Sequence, residues 1–169
     1  QVVAEVLMLP MARIRVIATD SALTPKDNGS YSSRVSFMVG NAALRAGESL
    51  RRTLVESAAR LCDADTAAIG RQEEKFYRQL AICGQSPEDR EWSASRPFEP
   101  DRGSVVGRTL IEGKCVHIAD ILQDPNYKLV EDQRKLGFRT MLGVPLLREG
   151  IAIGAIILIR RTVRPFTDK

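Results

Sequence analysis

The stretch Thr140-Met141-Leu142-Gly143-Val144-Pro145-Leu146-Leu147-Arg148-Glu149-Gly150-Ile151-Ala152-Ile153-Gly154-Ala155-Ile156-Ile157-Leu158-Ile159-Arg160 decides the fold. Two apolar, β-branched runs, Thr140–Leu147 and Ile151–Arg160, flank a three-residue Arg148-Glu149-Gly150 turn, which predicts a hairpin. Gly150 can take the positive φ that such a turn needs. Alternation puts Leu142, Val144 and Leu146 on one face and Met141, Pro145 and Leu147 on the other. Both faces are apolar, whereas an edge strand normally carries charge to discourage pairing. The hairpin therefore belongs in the middle of a sheet, with helix 50–62 covering one face and the layer 104–136 the other.

Working outward, Thr66–Ile69 and Phe76–Cys83 bracket the charged turn Gln72–Lys75 and predict a second antiparallel hairpin. Gly84–Pro100 is polar, with a short helix expected around Pro87–Ser93. Ser104–Glu112 reads as a helix with Ser104 as its N-cap and Gly113 as its stop. Val116-His117-Ile118 is a strand, and Asn126–Leu136 is a charged helix ended by Gly137. This order predicts an α+β fold: a central antiparallel sheet with helices on one face and a loop and short-helix cover on the other. Upstream, Val35, Met38, Val39, Ala42, Ala43 and Ala46 recur at helical spacing, and Leu50, Leu54, Val55, Ala58, Leu61 and Cys62 continue it. Either one helix runs through Gly47, at a cost of about 1 kcal/mol, or two helices meet there. The lack of proline from Asn41 to Cys62 favours one. Before that, Val2–Leu9 is a helix stopped by Pro10, Ile14–Ala18 a short strand, and Thr19–Ser33 a loop.

The composition, 169 residues with 44% hydrophobic and 27% charged, excludes disordered, collagen-like and disulfide-framework chains. No apolar run reaches the length of a membrane span. The chain opens with Gln1 and carries no secretory leader pattern, so it reads as a fragment of a longer cytoplasmic protein. The net charge of +4 is spread thinly, without the clustered cations and interleaved aromatics of a nucleic-acid surface. Cys62, Cys83 and Cys115 form no metal-ligand spacing and read as free thiols of a reducing compartment. No metal or cofactor is expected.

Thr53–Lys169 resembles a GAF domain, the small-molecule sensing module of bacterial signalling proteins. The residues carrying the resemblance begin with the helix end Leu54–Asp65. They continue through Gly103-Ser104-Val105-Val106-Gly107-Arg108, Val116-His117-Ile118-Ala119-Asp120, Arg139–Leu147, Ile153-Gly154-Ala155 and Arg164-Pro165-Phe166-Thr167. The resemblance implies a module upstream of a histidine kinase or nucleotide cyclase in two-component signalling, lacking here the helix that follows the Pro-Phe-Thr motif. The Asn-Lys-Phe-Asp-Glu signature of cyclic-nucleotide-binding members is absent, and Cys115, on a strand before Val116-His117, departs from the bilin-attachment pattern. A haem role for His117 finds no support. Residues 1–47 are instead similar to an internal stretch of molybdenum hydroxylase large subunits of the xanthine dehydrogenase type, through Ile14–Asp20, Leu23-Thr24-Pro25, Gly29–Arg34 and Gly40–Leu44. In that family the serine-rich loop lies near molybdopterin. Two resemblances meeting near residue 47 suggest a fusion: a segment 1–47, helix-strand-helix, and a sensory domain 48–169.

No nucleophile-base-orienter set, phosphate loop or dinucleotide fingerprint is present, so an enzyme is not expected. The expected function is a non-catalytic sensory or regulatory module that binds a small molecule under the 104–136 cover and relays the signal to an output domain. His117, Tyr127 and Arg139 are the candidate ligand contacts. The alternatives are a dimerising scaffold without ligand, pairing through helix 34–62, and a truncated oxidoreductase fusion fragment.

Overall fold

The computed structural model describes residues 1–17, 20–24, 26, 29, 34–96 and 98–167. Backbone proximity divides the chain into Gln1–Arg51 and Arg52–Lys169, a division that falls inside a helix.

In the first unit, α1 (Val2–Leu7) ends on Met8, whose left-handed backbone (φ 57°) lets its N–H bond back into the helix. Pro10 starts a 3₁₀ turn at Met11–Arg13. The expected strand at 14–18 is not formed by Ile14–Ile17: Ile14 is extended, but no strand pairs with it among the described residues. An apolar run needs a neighbour for its backbone groups, and here there is none. Ala18 and most of the serine-rich loop (residues 30–33) lie outside the described residues. α2 (Arg34–Leu61) runs through Gly47 without a break. A Cβ at Gly47 would stand 2.6 Å from a methyl of Val6, so the missing side chain gives α1 its seat.

In the second unit, β1 (Thr66–Glu73), β2 (Phe76–Cys83), β3 (Val116–Ile118), β4 (Thr140–Arg148) and β5 (Ile151–Arg160) form one antiparallel sheet in the order β2-β1-β5-β4-β3. The hairpin that decides the fold thus supplies the central strand and its neighbour. Its turn is tighter than expected: Glu149 and Gly150 both take positive φ, 54° and 81°, so Arg148 joins β4 and two residues close the loop.

Each face of the sheet is covered. Val55, Ala58 and Ala59 of α2, and Cys62 just after it, pack on Ala67, Ile69, Leu158, Leu142 and Leu146. On the other face, Tyr77, Met141, Ile157 and Ile159 meet Val105 and Val106 of α4 (Val105–Glu112), Ile121, Leu136 of α5 (Val130–Leu136), and Phe138. α4 comes this close to the sheet because Gly143 has no side chain. A Cβ there would stand 2.1 Å from Thr109 Oγ1, which is itself held by a bond to the Val105 carbonyl at 2.8 Å. The N-terminus of α4 has the expected cap, Ser104 Oγ accepting from Gly107 N–H at 2.9 Å. α5 starts later than expected, because Tyr127 N–H and Lys128 N–H are taken by the Asp124 and Gly103 carbonyls in a loop.

One buried cation joins three parts of this unit. Arg160 donates from Nε to Asp63 O (3.0 Å), from Nη2 to Cys62 O (2.8 Å), and from Nη1 to Arg164 O (2.6 Å) and Pro165 O (2.8 Å). Its guanidinium lies 4.0 Å from the centre of the Phe166 ring. Among the described residues, no helix is long and apolar enough to cross a membrane.

Two substitutions test this packing. Gly107→Ala would normally stabilise a helix, but its Cβ would meet the Asp101 carbonyl oxygen at 1.9 Å. A net loss of about 1–3 kcal/mol in urea unfolding is expected. Arg160→Met removes a donor from four carbonyls, of which Asp63 O keeps another from Arg164 Nη2, and should cost at least about 3 kcal/mol. Arg160→Lys should recover only part of it, because an ammonium lacks the planar fork. Unfolding midpoints equal to the unsubstituted chain would refute either account.

Candidate functional site

Between the sheet and its outer cover lies a cavity of about 940 Å³. Its floor is built by strand alternation: Ala68 from β1, Tyr77 from β2, Met141 from β4, and Ile157 and Ile159 from β5 face it. Its roof comes from Val105 and Val106 of α4, from Tyr127 and Leu129 in the loop before α5, and from Leu136 and Phe138. A third wall is α3 (Pro87–Ser95), capped by Ser86 Oγ accepting from Asp89 N–H at 3.1 Å.

Tyr77 fixes one end. Gly70 leaves room for its ring, since a Cβ there would stand 2.4 Å from it. Tyr77 N–H donates to Phe98 O at 3.0 Å, and the two rings lie 5.6 Å apart. Burial pushes the Tyr77 hydroxyl up, so it stays a neutral phenol. The polar groups of the wall come from several elements: Gln79, Gln85, Ser93, Tyr127 and Asp132, and the charged Arg71, Glu73, Glu74, Arg78 and Arg96. Burial likewise pushes the Tyr127 hydroxyl up, and the charge of Asp132 adds to it. Asp132 accepts from Trp92 Nε1–H at 3.1 Å.

Of the three residues expected from the sequence, the structure brings Tyr127 to the cavity wall. His117 lies exposed on β3, with Nε2 accepting the Phe166 N–H at 3.1 Å and its ring edge-on to Phe166 at 5.8 Å. Arg139 grips Asp120, Nε to Oδ1 at 3.0 Å and Nη2 to Oδ2 at 2.8 Å. Neither His117 nor Arg139 lines the cavity. Sequence reading missed Tyr77, Ser93 and Asp132. Tyr77 had a signal, an aromatic residue in a predicted strand, but its glycine neighbour is set by a strand bulge between Ile69 and Gly70. Among the described residues no cluster of His, Cys, Asp or Glu could hold a metal ion, and no cysteine or histidine lines the cavity.

Residues 1–110 match the molybdopterin cofactor-binding domain family. Solved structures of similar fold include the GAF domain/HD domain protein of Geobacter sulfurreducens, 16% identical, with a TM-score of 0.62 over 72% of this chain and 79% of that one. A Staphylococcus aureus NreA protein mutated in its nitrate binding site is 17% identical, with a TM-score of 0.59 over 74% and 93%. The type II free methionine-R-sulfoxide reductase of Thermoplasma acidophilum is 13% identical, with a TM-score of 0.58 over 71% and 78%. At these identities the likeness establishes the fold, that of a GAF domain.

The carboxylates around the cover set an acid limit. Lys128 and the Gly103 N–H hold the Asp101 carboxyl below its ordinary range, and Arg139 does so for Asp120. Burial alone would raise Asp124, but Arg108, 2.6 Å away, and the Asn126 N–H outweigh it and leave it lowered. Depressed carboxyls contribute stability that is complete above the unfolded value of about 4 and is lost as pH falls through their folded values. The melting temperature should hold from about pH 7 to 5 and drop below about 4. Arg139→Gln should shrink that drop; an identical pH profile would show that the Asp120 pair contributes nothing.

Proposed function

We propose that this chain, which belongs to the molybdopterin cofactor-binding domain family through residues 1–110, works through its GAF-fold unit as a non-catalytic sensor of a small molecule. The observation that carries this reading is the cavity of about 940 Å³, apolar on its floor and edged by polar and charged side chains. The described residues of the first unit do not fit a pterin. Among the described residues of the first unit only Ala4 and Gly47 are buried, which offers no wall of enclosed donors for a large polar cofactor. A sulfoxide-reducing activity like that named for the Thermoplasma protein would want a thiol or other redox group at the cavity, and its lining offers none.

In this reading Tyr127 touches the ligand, while His117 and Arg139 support the relay, His117 through Phe166 and Arg139 through Asp120. The signal would leave through α2 and the segment after β5, which Arg160 ties together, toward an output domain such as a histidine kinase or a nucleotide cyclase. The three free cysteines suit a cytoplasmic setting. Val39, Leu50 and Leu61, eleven residues apart on α2, are 56%, 45% and 79% exposed and support pairing of two copies through that helix. This stripe is also what favours the second reading, a dimerising scaffold without ligand.

Native mass spectrometry of freshly purified protein, followed by a thermal-shift screen of small organic molecules, separates the two. A retained or stabilising molecule is expected. Its effect should vanish in Ala94→Phe, which fills the cavity from α3, and weaken at least about tenfold in Tyr127→Ala with a smaller change in melting temperature. A molecule whose effect survives both substitutions would sink the cavity reading, and dimers that never take up a ligand would favour the scaffold.

A further inference from the structure

α3 is a helix with no fully buried residue, and its hold on the apolar core is the half-buried Trp92. α5 buries only Leu136. Both nevertheless wall the cavity, through Ser93 and Ala94 on one side and Asp132 and Leu136 on the other. What joins them to each other is polar. Trp92 Nε1 donates to Asp132 Oδ1 at 3.1 Å, and Arg96 Nη2 lies 2.6 Å from Glu131 Oε2. The Arg96 guanidinium stands 4.9 Å from the centre of the Trp92 ring, and Lys135 Nζ is 3.8 Å from Asp89 Oδ1. The segment carrying α3 is fixed at its ends instead. The Gly84 carbonyl before it accepts from Thr66 Oγ1 at 3.2 Å, and the Phe98 carbonyl after it accepts from Tyr77 N–H at 3.0 Å.

A helix tethered at both ends and held across by exposed ion pairs swings outward when those pairs part. We propose that α3 and α5 form an ion-latched lid over the cavity, with Arg96–Glu131 and Trp92–Asp132 as the latch, so that ligand entry is governed by ionic strength and by anything that competes for Arg96. This rests on the cavity being the ligand site. It extends that reading from what is bound to how access is controlled. The lid also carries its own reporter, because Trp92 is the single tryptophan of the chain. Opening withdraws its ring from the core and frees its N–H from Asp132.

The test uses the full chain and the uncharged dye Nile red, whose own binding does not respond to salt through charge. Stopped-flow entry and exit rates are measured at about 20 and 500 mM salt, together with acrylamide quenching of Trp92, for the unsubstituted chain and for Arg96→Gln and Glu131→Gln. Cutting the pair should raise both rates by about threefold, raise the quenching constant, and abolish the dependence on salt. If the dye still enters the cavity, as shown by its exclusion from Ala94→Phe, but rates and quenching do not change, the latch is wrong and the sensing reading stands. If Ala94→Phe does not exclude the dye, the cavity reading fails. Trp92 quenching then decides the latch alone, and an unchanged constant in both charge variants would overturn it.

Discussion

The guanidinium of Arg160 is the constraint on which the second unit depends. It sits at the end of the central strand, where it donates both to the carbonyls that close α2 and to those of the exit segment. A single planar cation satisfies both sets, and the Phe166 ring covers its face. The same residue's carbonyl accepts the Arg139 N–H, and its neighbour Ile159 accepts from Asp65, so the entries to β1 and β4 are fixed at the same point. The place where chain enters the sheet and the place where it leaves it are therefore one hydrogen-bonded node. A change of backbone at one is felt at the other without any path through the core.

The sheet and the cavity depend on that node in different ways. The α2 face is dry and filled, with Val55 and Leu158 fully enclosed. The opposite face is covered by short helices joined by long loops, which pack on part of the sheet and leave the cavity over the rest. The asymmetry follows from element length. One long helix presents a continuous apolar stripe, whereas helices of seven to nine residues cannot each bury enough surface to close the space above five strands.

Most of the frame was legible because it rests on local chemistry. The β4–β5 hairpin, the Ser104 cap and the Gly113 and Gly137 stops are each set by a few neighbouring residues. Other features depend on contacts distant in sequence. Ile14–Ile17 has a strand's composition but no partner to pair with among the described residues. Asn126–Lys128 has a helix's composition but gives its N–H groups to Asp124 and Gly103. Within the site, Tyr127 could be read as an aromatic residue in a predicted cover, whereas the fates of His117 and Arg139 turned on Phe166 and Asp120, which local pattern does not reveal. The family match adds a layer that neither composition nor fold supplies: residues 1–110 carry one sequence relationship, while the strands from Thr66 onward carry the architecture of another.

The recess at Gly143 ties two distant positions into one unit of sequence drift. The hydroxyl of Thr109 fills the space that a side chain at 143 would need, and its bond to Val105 keeps it there. Alanine can replace Gly143 only after Thr109 has become smaller, so the two changes have an obligatory order. Lineages that began with the change at 143 would pass through a destabilised intermediate. Related chains should therefore hold glycine opposite threonine, or a larger residue opposite alanine, and rarely the crossed combination.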